Sequence, residues 1–297
     1  MQYVTRFAPS PTGPLHLGHA YSAILAHDMA MAENGRFLLR IEDIDRERSK
    51  PEWETQLYED LEWLGLWWET PVMRQSERLP AYRQALDALW QRDLLYPCTC
   101  TRRDIHEAAS APQEGVVHFG PDGIVYPRTC HHKIGMPQSL TPMPEDVALR
   151  LDMSLAAIQI GEYRVCEGEF LYFTETGSGP DGETGQIEFS PDDLRTKVGD
   201  IVLSRKTFLG SYHLSVVLDD AAQGVTHVVR GQDLFEATRI HVALQRLLGL
   251  PTPVYHHHAL VRDENGKRLA KRDDAKAIRK YRAEGATPAD IRRMVGL

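Results

Sequence analysis

The stretch Arg6-Phe-Ala-Pro-Ser-Pro-Thr-Gly-Pro-Leu-His-Leu-Gly-His-Ala20 constrains this chain more than any other. Prolines at 9, 11 and 14 fix φ and remove backbone donors, so no regular element can run between the apolar segment Val4-Phe7 and Leu15. Ala20, Ile24, Leu25 and Met29 then recur at helical spacing, which predicts a strand, a turn and a helix in immediate succession. Gly13 and Gly18 allow backbone to approach a ligand without a Cβ in the way. His16 and His19 fall at the start of that helix, where the dipole and the orphan N–H groups favour an anion such as phosphate. For a His-x-x-His pair taken alone, an incidental loop with two packed or surface histidines is the ordinary outcome.

The flanks change that balance. His-Leu-Gly-His at 16–19 resembles the HIGH signature of the class I aminoacyl-tRNA synthetases, and the preceding Arg-Phe-Ala-Pro-Ser-Pro-Thr-Gly resembles their glutamyl branch. Arg36-Phe-Leu-Leu-Arg-Ile-Glu-Asp-Ile-Asp45 reads as a buried strand ending in carboxylates, and ligands of parallel α/β sheets collect beyond strand carboxyl ends. Glu42, Asp43 and Asp45 therefore lie where chemistry is expected, although one of them could simply cap the helix starting near Pro51. The resemblance assigns Glu42 to the amino group of a bound glutamate and Arg6 to its carboxylate groups, with Ala8 and Ser10 beside them. Late in the chain, Tyr212 and Arg230 match the two positions that hold the substrate's side chain and carboxylate in glutamate-specific relatives. Arg230 could instead pair with a helix carboxylate.

Asn265-Gly-Lys-Arg-Leu-Ala-Lys-Arg-Asp273 resembles the KMSKS loop of the same class, with Lys271 as the lysine that meets ATP phosphates. Arg268 replaces the first lysine and Ala270 the serine, which removes a hydroxyl from the nucleotide site. The resemblance implies an ATP site of His16, Gly18, His19 and Lys271, with His16, His19 and Lys271 catalytic and Mg²⁺ on the phosphates. Glutamate's carboxylate then attacks the α-phosphorus of ATP through a highly charged transition state that needs preorganised positive groups more than a base.

Three of the four cysteines fall in one Gly/Pro-rich segment. In a reducing compartment Cys98, Cys100 and Cys130 suit a metal better than a disulfide, and a tetrahedral zinc asks for a fourth ligand. Residue types alone favour His131 or His132; the resemblance implies Tyr126, from the Cys-x-Cys…Tyr-x-x-x-Cys pattern of glutamyl-Q relatives. Cys166 stands apart as an expected inert core residue.

Residues 51–95 read as helical, with Trp53, Leu57, Leu61 and Leu64 in register and a second helix from about Pro80 to Asp93. The five tryptophans between 53 and 90 are expected to pack in the core or between helices. The expected fold is α/β: a class I, Rossmann-like nucleotide-binding fold with an inserted α+β, acceptor-type domain carrying the zinc, and no anticodon-binding domain. Its halves are residues 1–95 and 196–273, the insertion 96–195, and a short helical tail 274–297.

At 42% hydrophobic, the chain can bury a substantial core. It has no run of about eighteen apolar residues and no apolar signal core, so a cytoplasmic location and a monomeric working unit are expected. The net charge of -8 argues against indiscriminate coating of nucleic acid. Yet Arg262–Arg293 holds 11 Lys and Arg against 6 Asp and Glu, a net +5 that leaves -13 elsewhere, so a local basic surface is available for phosphates. Over its length the chain resembles the truncated glutamyl-Q family, which implies transfer of glutamate to queuosine at the wobble position of tRNA(Asp). Charging of tRNA(Glu) at its 3′ end, and a non-catalytic glutamate- or nucleotide-binding regulator, are the alternatives.

Overall fold

The structure, a computed structural model, describes residues 2–109, 118–131, 137–162, 170–262 and 276–297. Along the chain the elements are β1 (Val4–Phe7), α1 (Leu17–Ala32), β2 (Arg36–Ile41), α2 (Pro51–Trp63), β3 (Glu69–Arg74), α3 (Leu79–Trp90), β4 (Leu95–Cys98) and α4 (Arg102–Ala109). Two short strands, β5 (Phe119–Gly120) and β6 (Gly123–Ile124), form a hairpin. Next come β7 (Ala148–Leu151), α5 (Met153–Glu162), β8 (Leu171–Glu175), β9 (Gly185–Phe189) and α6 (Pro191–Asp193), which runs on as a π-helical turn over Leu194–Val198. The last elements are β10 (Val202–Ser204), α7 (Tyr212–Ala222), β11 (His227–Gly231), α8 (Thr238–Leu248), β12 (Val254–His258), α9 (Ile278–Ala283) and α10 (Pro288–Val295).

Two largely parallel sheets make the main scaffold. The first has the order β1-β2-β3, the second β11-β12-β8-β9 with β9 antiparallel. They abut where Thr226 N donates to Val4 O at 3.0 Å and Val4 N donates to Thr226 Oγ1 at 2.8 Å. β1 and β11 are thus neighbours at the point where strand order reverses, the crevice position of doubly wound folds. Arg6 and Arg230 lie on these two strands near that crevice.

A separate antiparallel sheet has the order β10-β7-β4. Pairing redistributes elements relative to the sequence boundaries. β8 and β9, expected within the insertion, join β12 in the catalytic sheet, whereas β10, expected to reopen the catalytic fold, pairs with β7. β3 interrupts the segment expected to be helical between 51 and 95. Short apolar strands look alike in sequence, and their partners lie far along the chain, so composition cannot assign them to a sheet. Trp90 is buried, but Trp67 is 56% exposed rather than packed.

The tail helices fold back on the first element. Ile278 N donates to Leu15 O at 2.9 Å, Arg292 forms a bidentate pair with Asp28 of α1, and Ile278, Ile291 and Val295 close over the α1 core. Thr287 and Asp290 supply the capping box that starts α10. Among the described residues no helix is long and apolar enough to cross a membrane.

Candidate active site

His16 is the N-cap of α1, and both histidines are used structurally at one edge. His16 Nδ1 accepts from Gly18 N at 3.1 Å, His19 Nδ1 accepts from His16 N at 3.2 Å, and the two rings lie 3.8 Å apart. With each Nδ1 accepting, a neutral ring carries its proton on Nε2. Gly18 gives the His16 ring room: a Cβ there would lie 3.0 Å from His16 Cε1, so the ring would have to shift. Ala277, the second residue after the undescribed span 263–275, bridges His16. Upstream of the span, His258 Nε2 meets Ser22 Oγ at 2.7 Å. Lys271, Arg268 and Ala270 lie outside the described residues.

A cavity of about 480 Å³ opens beside this turn, lined by Ser10, Thr12, Glu42, Arg205, Ser211 and Tyr212 among others. Ser211 caps α7 by accepting from Leu214 N, which presents Tyr212 as the first helical residue. Glu42 N donates to Pro9 O at 3.0 Å, tying the proline turn to the end of β2. Ala8 is half-buried. Beneath the cavity Arg6 Nε donates to Asp220 Oδ1 at 3.0 Å, and the same oxygen accepts from the fully buried Arg40 at 2.6 Å. Arg40 also reaches Glu42 Oε1 at 3.2 Å. Burial raises the Glu42 carboxyl above its ordinary value against the pull of Arg40 and Arg6, while the same two guanidiniums outweigh burial and lower Asp220. Arg40 and Asp220 carry no motif. Their one signal in sequence is a charge inside an otherwise apolar strand or helix.

Of the other carboxylates at this strand end, Asp43 accepts from Ser76 N and Oγ at 2.8 and 2.6 Å, and Asp45 accepts from Arg48. Both hold loops rather than facing the buried arginines. Arg230 is buried and enclosed by polar groups: Nε donates to His257 Nε2 at 3.0 Å, Nη1 meets His241 Nδ1 at 3.0 Å, and Nη2 donates to Leu234 O and Thr238 Oγ1 at 3.1 and 2.7 Å. Among the described residues it does not pair with a helix carboxylate.

The cysteine segment also converges. The sulfurs of Cys98, Cys100 and Cys130 lie within 4.8 Å of one another. Tyr126 Oη sits 3.4 Å from Cys98 Sγ and 3.2 Å from Cys100 Sγ, and it accepts from Cys130 N at 2.9 Å. Burial raises Cys130, but hydrogen bonds from Thr99, Tyr126 and Cys100 outweigh it and lower that thiol to about 6; burial raises Cys100 to about 11. Arg150 stacks its guanidinium 3.7 Å over the Tyr126 ring and donates to Cys98 Sγ at 3.3 Å. His131 Nε2 is 2.6 Å from Asp152 Oδ2, so the histidine alternative is drawn away from the sulfurs. His132 and Cys166 lie outside the described residues.

Residues 2–118 and 175–297 match the family described as tRNA synthetases class I (E and Q), catalytic domain. The chain belongs to the class I tRNA synthetases of the E and Q family. Within this synthetase family it is 65% identical to a glutamyl-Q tRNA(Asp) synthetase of Rhodobacter capsulatus, covering 99% of this chain and 100% of the relative. It is 39% identical to another protein of that name from Geobacter sulfurreducens, over 93% and 77% of the two chains. A glutamate–tRNA ligase of Aquifex aeolicus is 38% identical over 96% of this chain but only 54% of its own length. In three dimensions the chain is similar to a glutamate-tRNA synthetase from Elizabethkingia anophelis, with a TM-score of 0.73 and 23% identity, spanning 100% of this chain and 61% of that one. The gap in the family match, 119–174, contains Tyr126, Cys130, β7 and α5.

Proposed function

We propose that this synthetase activates L-glutamate with ATP, without needing tRNA for that step, and transfers the glutamyl group to queuosine at the wobble position of tRNA(Asp). The observation that carries this reading is the 65% identity over 100% of the length of a relative bearing that name. The geometry supports the first half-reaction. Arg6 and Arg230 supply positive charge for the amino acid's carboxylates, Glu42 balances its ammonium, and Tyr212 and Ser10 line the cavity between. Next to it, the α1 N-terminus with His16 Nε2 and His19 Nε2 is suited to the phosphates, with Mg²⁺ carried by ATP; the part of Lys271, outside the described residues, rests on the motif resemblance alone.

Attack by the α-carboxylate on the α-phosphorus expels pyrophosphate and leaves a mixed anhydride, glutamyl adenylate; a hydroxyl of the acceptor then attacks its carbonyl, the acyl–phosphate bond breaks, and AMP and the hydroxyl proton leave as the ester forms. Cys98, Cys100, Cys130 and Tyr126 form a donor set that fits a structural Zn²⁺, which closes the loop between β4 and β7; Arg150 offsets the surplus negative charge of thiolates and phenolate.

Nuclease fragmentation of tRNA charged with labelled glutamate tests the acceptor. Label on the anticodon fragment of queuosine-containing tRNA(Asp), stable to acid and labile to alkali, is the expected result. Equal transfer to tRNA lacking queuosine, or label confined to a 3′ fragment of tRNA(Glu), overturns it. Glutamate-dependent ATP–pyrophosphate exchange in the absence of tRNA, lost in Lys271→Ala, excludes a non-catalytic regulator.

A further inference from the structure

The two arginines assigned to glutamate are held in opposite ways. Arg6 shares a buried carboxylate, Asp220, so its charge is already partly neutralised. Arg230 has no carboxylate partner among the described residues. Its guanidinium rests on two imidazoles, a carbonyl and a hydroxyl. Four of its five N–H donors are used there, leaving one on Nη1.

The hydrogen bonds around these imidazoles admit one consistent proton assignment. An arginine only donates, so the nitrogen facing it must accept. His257 therefore accepts through Nε2 and carries its proton on Nδ1, which lies 2.5 Å from Oε2 of the buried Glu175. Glu175 is itself fixed by His257 N and Gly177 N at 2.9 and 2.7 Å. His241 accepts through Nδ1 and carries its proton on Nε2, 3.2 Å from His213 Nδ1. His213 in turn carries its proton on Nε2, 3.4 Å from Asp122 Oδ1 on the β5–β6 hairpin. A continuous chain runs Glu175, His257, Arg230, His241, His213, Asp122, with one proton per link. The Tyr212 ring lies 5.8 Å from the His241 ring and lines the cavity, so the chain passes directly beneath the substrate's place.

We infer that His241 and His257 are specificity-determining positioning residues for glutamate: as neutral acceptors of fixed tautomer they aim Arg230 while leaving its full charge for the incoming carboxylate. A carboxylate in either position would hold the guanidinium equally well and would compete with the substrate. An imidazole orients without neutralising. Burial lowers the titration of both rings; Arg230 adds to it at His241, and at His257 burial and Arg230 outweigh the opposing pull of Glu175, which fits the neutral form of each.

This inference rests on the glutamate reading of Arg230, and the test separates the two. Glutamate-dependent pyrophosphate exchange by the full chain is measured for four near-isosteric variants, His257→Gln, His257→Met, His241→Asn and His241→Leu, beside Arg230→Ala. Gln and Asn keep an acceptor close to the lost nitrogen; Met and Leu fill similar space without one. The expected result is a rise of roughly tenfold or more in glutamate KM for the Met and Leu variants, with kcat within about twofold, and a KM within about threefold of the parent for Gln and Asn. His241→Asp is expected to narrow the preference for glutamate over glutamine. Equal KM values within each Gln/Met and Asn/Leu pair overturn the inference, because a space-filling role moves both members alike. An unchanged KM in Arg230→Ala overturns the underlying assignment instead.

Discussion

Replacing Asp220 by asparagine isolates the charge that holds Arg6 and Arg40 together. Asp220 Oδ1 lies 3.0 Å from Arg6 Nε and 2.6 Å from Arg40 Nη1, and all three side chains are buried. At an effective dielectric of about 20, unit charges roughly 3 Å apart attract by about 5 kcal/mol, and desolvation of the partners consumes much of it. Breaking such a pair by removing one partner costs about 3–5 kcal/mol. The amide still offers one acceptor to two guanidiniums, so the lower end, about 3 kcal/mol, is expected. For a chain of this size that corresponds to a fall of about 5 °C in the melting midpoint.

The loss is not only one of stability. With Asp220 neutral, Glu42 is the carboxylate still bonded to Arg40 among the described residues, and on the proposed reading that bond competes with the ammonium of glutamate. Glutamate KM is expected to rise together with the fall in midpoint. Scanning calorimetry and glutamate titration of pyrophosphate exchange measure the two effects. Arg40→Met removes the second buried cation, so the double variant is expected to be less destabilised than the sum of the singles. An Asp220→Asn protein that melts within about 1 °C of the parent with an unchanged KM, or strict additivity in the double variant, refutes the buried-triad reasoning.

On the proposed zinc reading, Cys98→Ser is expected to lower bound zinc, measured by mass spectrometry after dialysis, and to lower the melting midpoint, since one ligand of the proposed tetrahedral set is lost. Gly18→Ala pushes a Cβ to 3.0 Å from His16 Cε1 and displaces the capping ring; kcat for pyrophosphate exchange is expected to fall while glutamate KM stays near the parent value. Asp60 is 2% exposed, its Oδ2 has no hydrogen-bond partner among the described residues, and burial, countered by Arg279 and Arg282, raises it to about 6. The folded state therefore binds the extra proton between the ordinary 3.8 and about 6, so this group's contribution to stability falls as pH rises through that window and its cost is complete above it. Asp60→Asn is expected to stabilise by on the order of 2–3 kcal/mol at about pH 8, with the difference from the parent shrinking as pH is lowered toward about 4. A difference independent of pH contradicts that account.

By itself the sequence determined the parts whose cause is local. Prolines at 9, 11 and 14 forbid regular structure whatever lies around them, and helical spacing after Leu17 follows from one face being buried, so the strand, turn and helix were legible with His16 at the cap. The Gly249 stop of α8, in left-handed conformation, and the Thr287 capping box of α10 were legible for the same reason. Resemblance singled out Arg6, Glu42, Tyr212 and Arg230, and the cysteines announced themselves by clustering. Tertiary structure alone decided which strand pairs with which, placing β8 and β9 beside β12 and β10 beside β7. It also drew His131 to Asp152 and placed Tyr126 against the sulfurs. Above all it revealed the supports of the two arginines proposed to hold glutamate: Asp220 and Arg40 beside Arg6, His241, His257 and Glu175 around Arg230. Those residues come from strands and helices up to 214 positions apart from the groups they hold. Partnership across such distances is set by the burial of charge, which only the folded chain can impose and only a satisfied partner can offset.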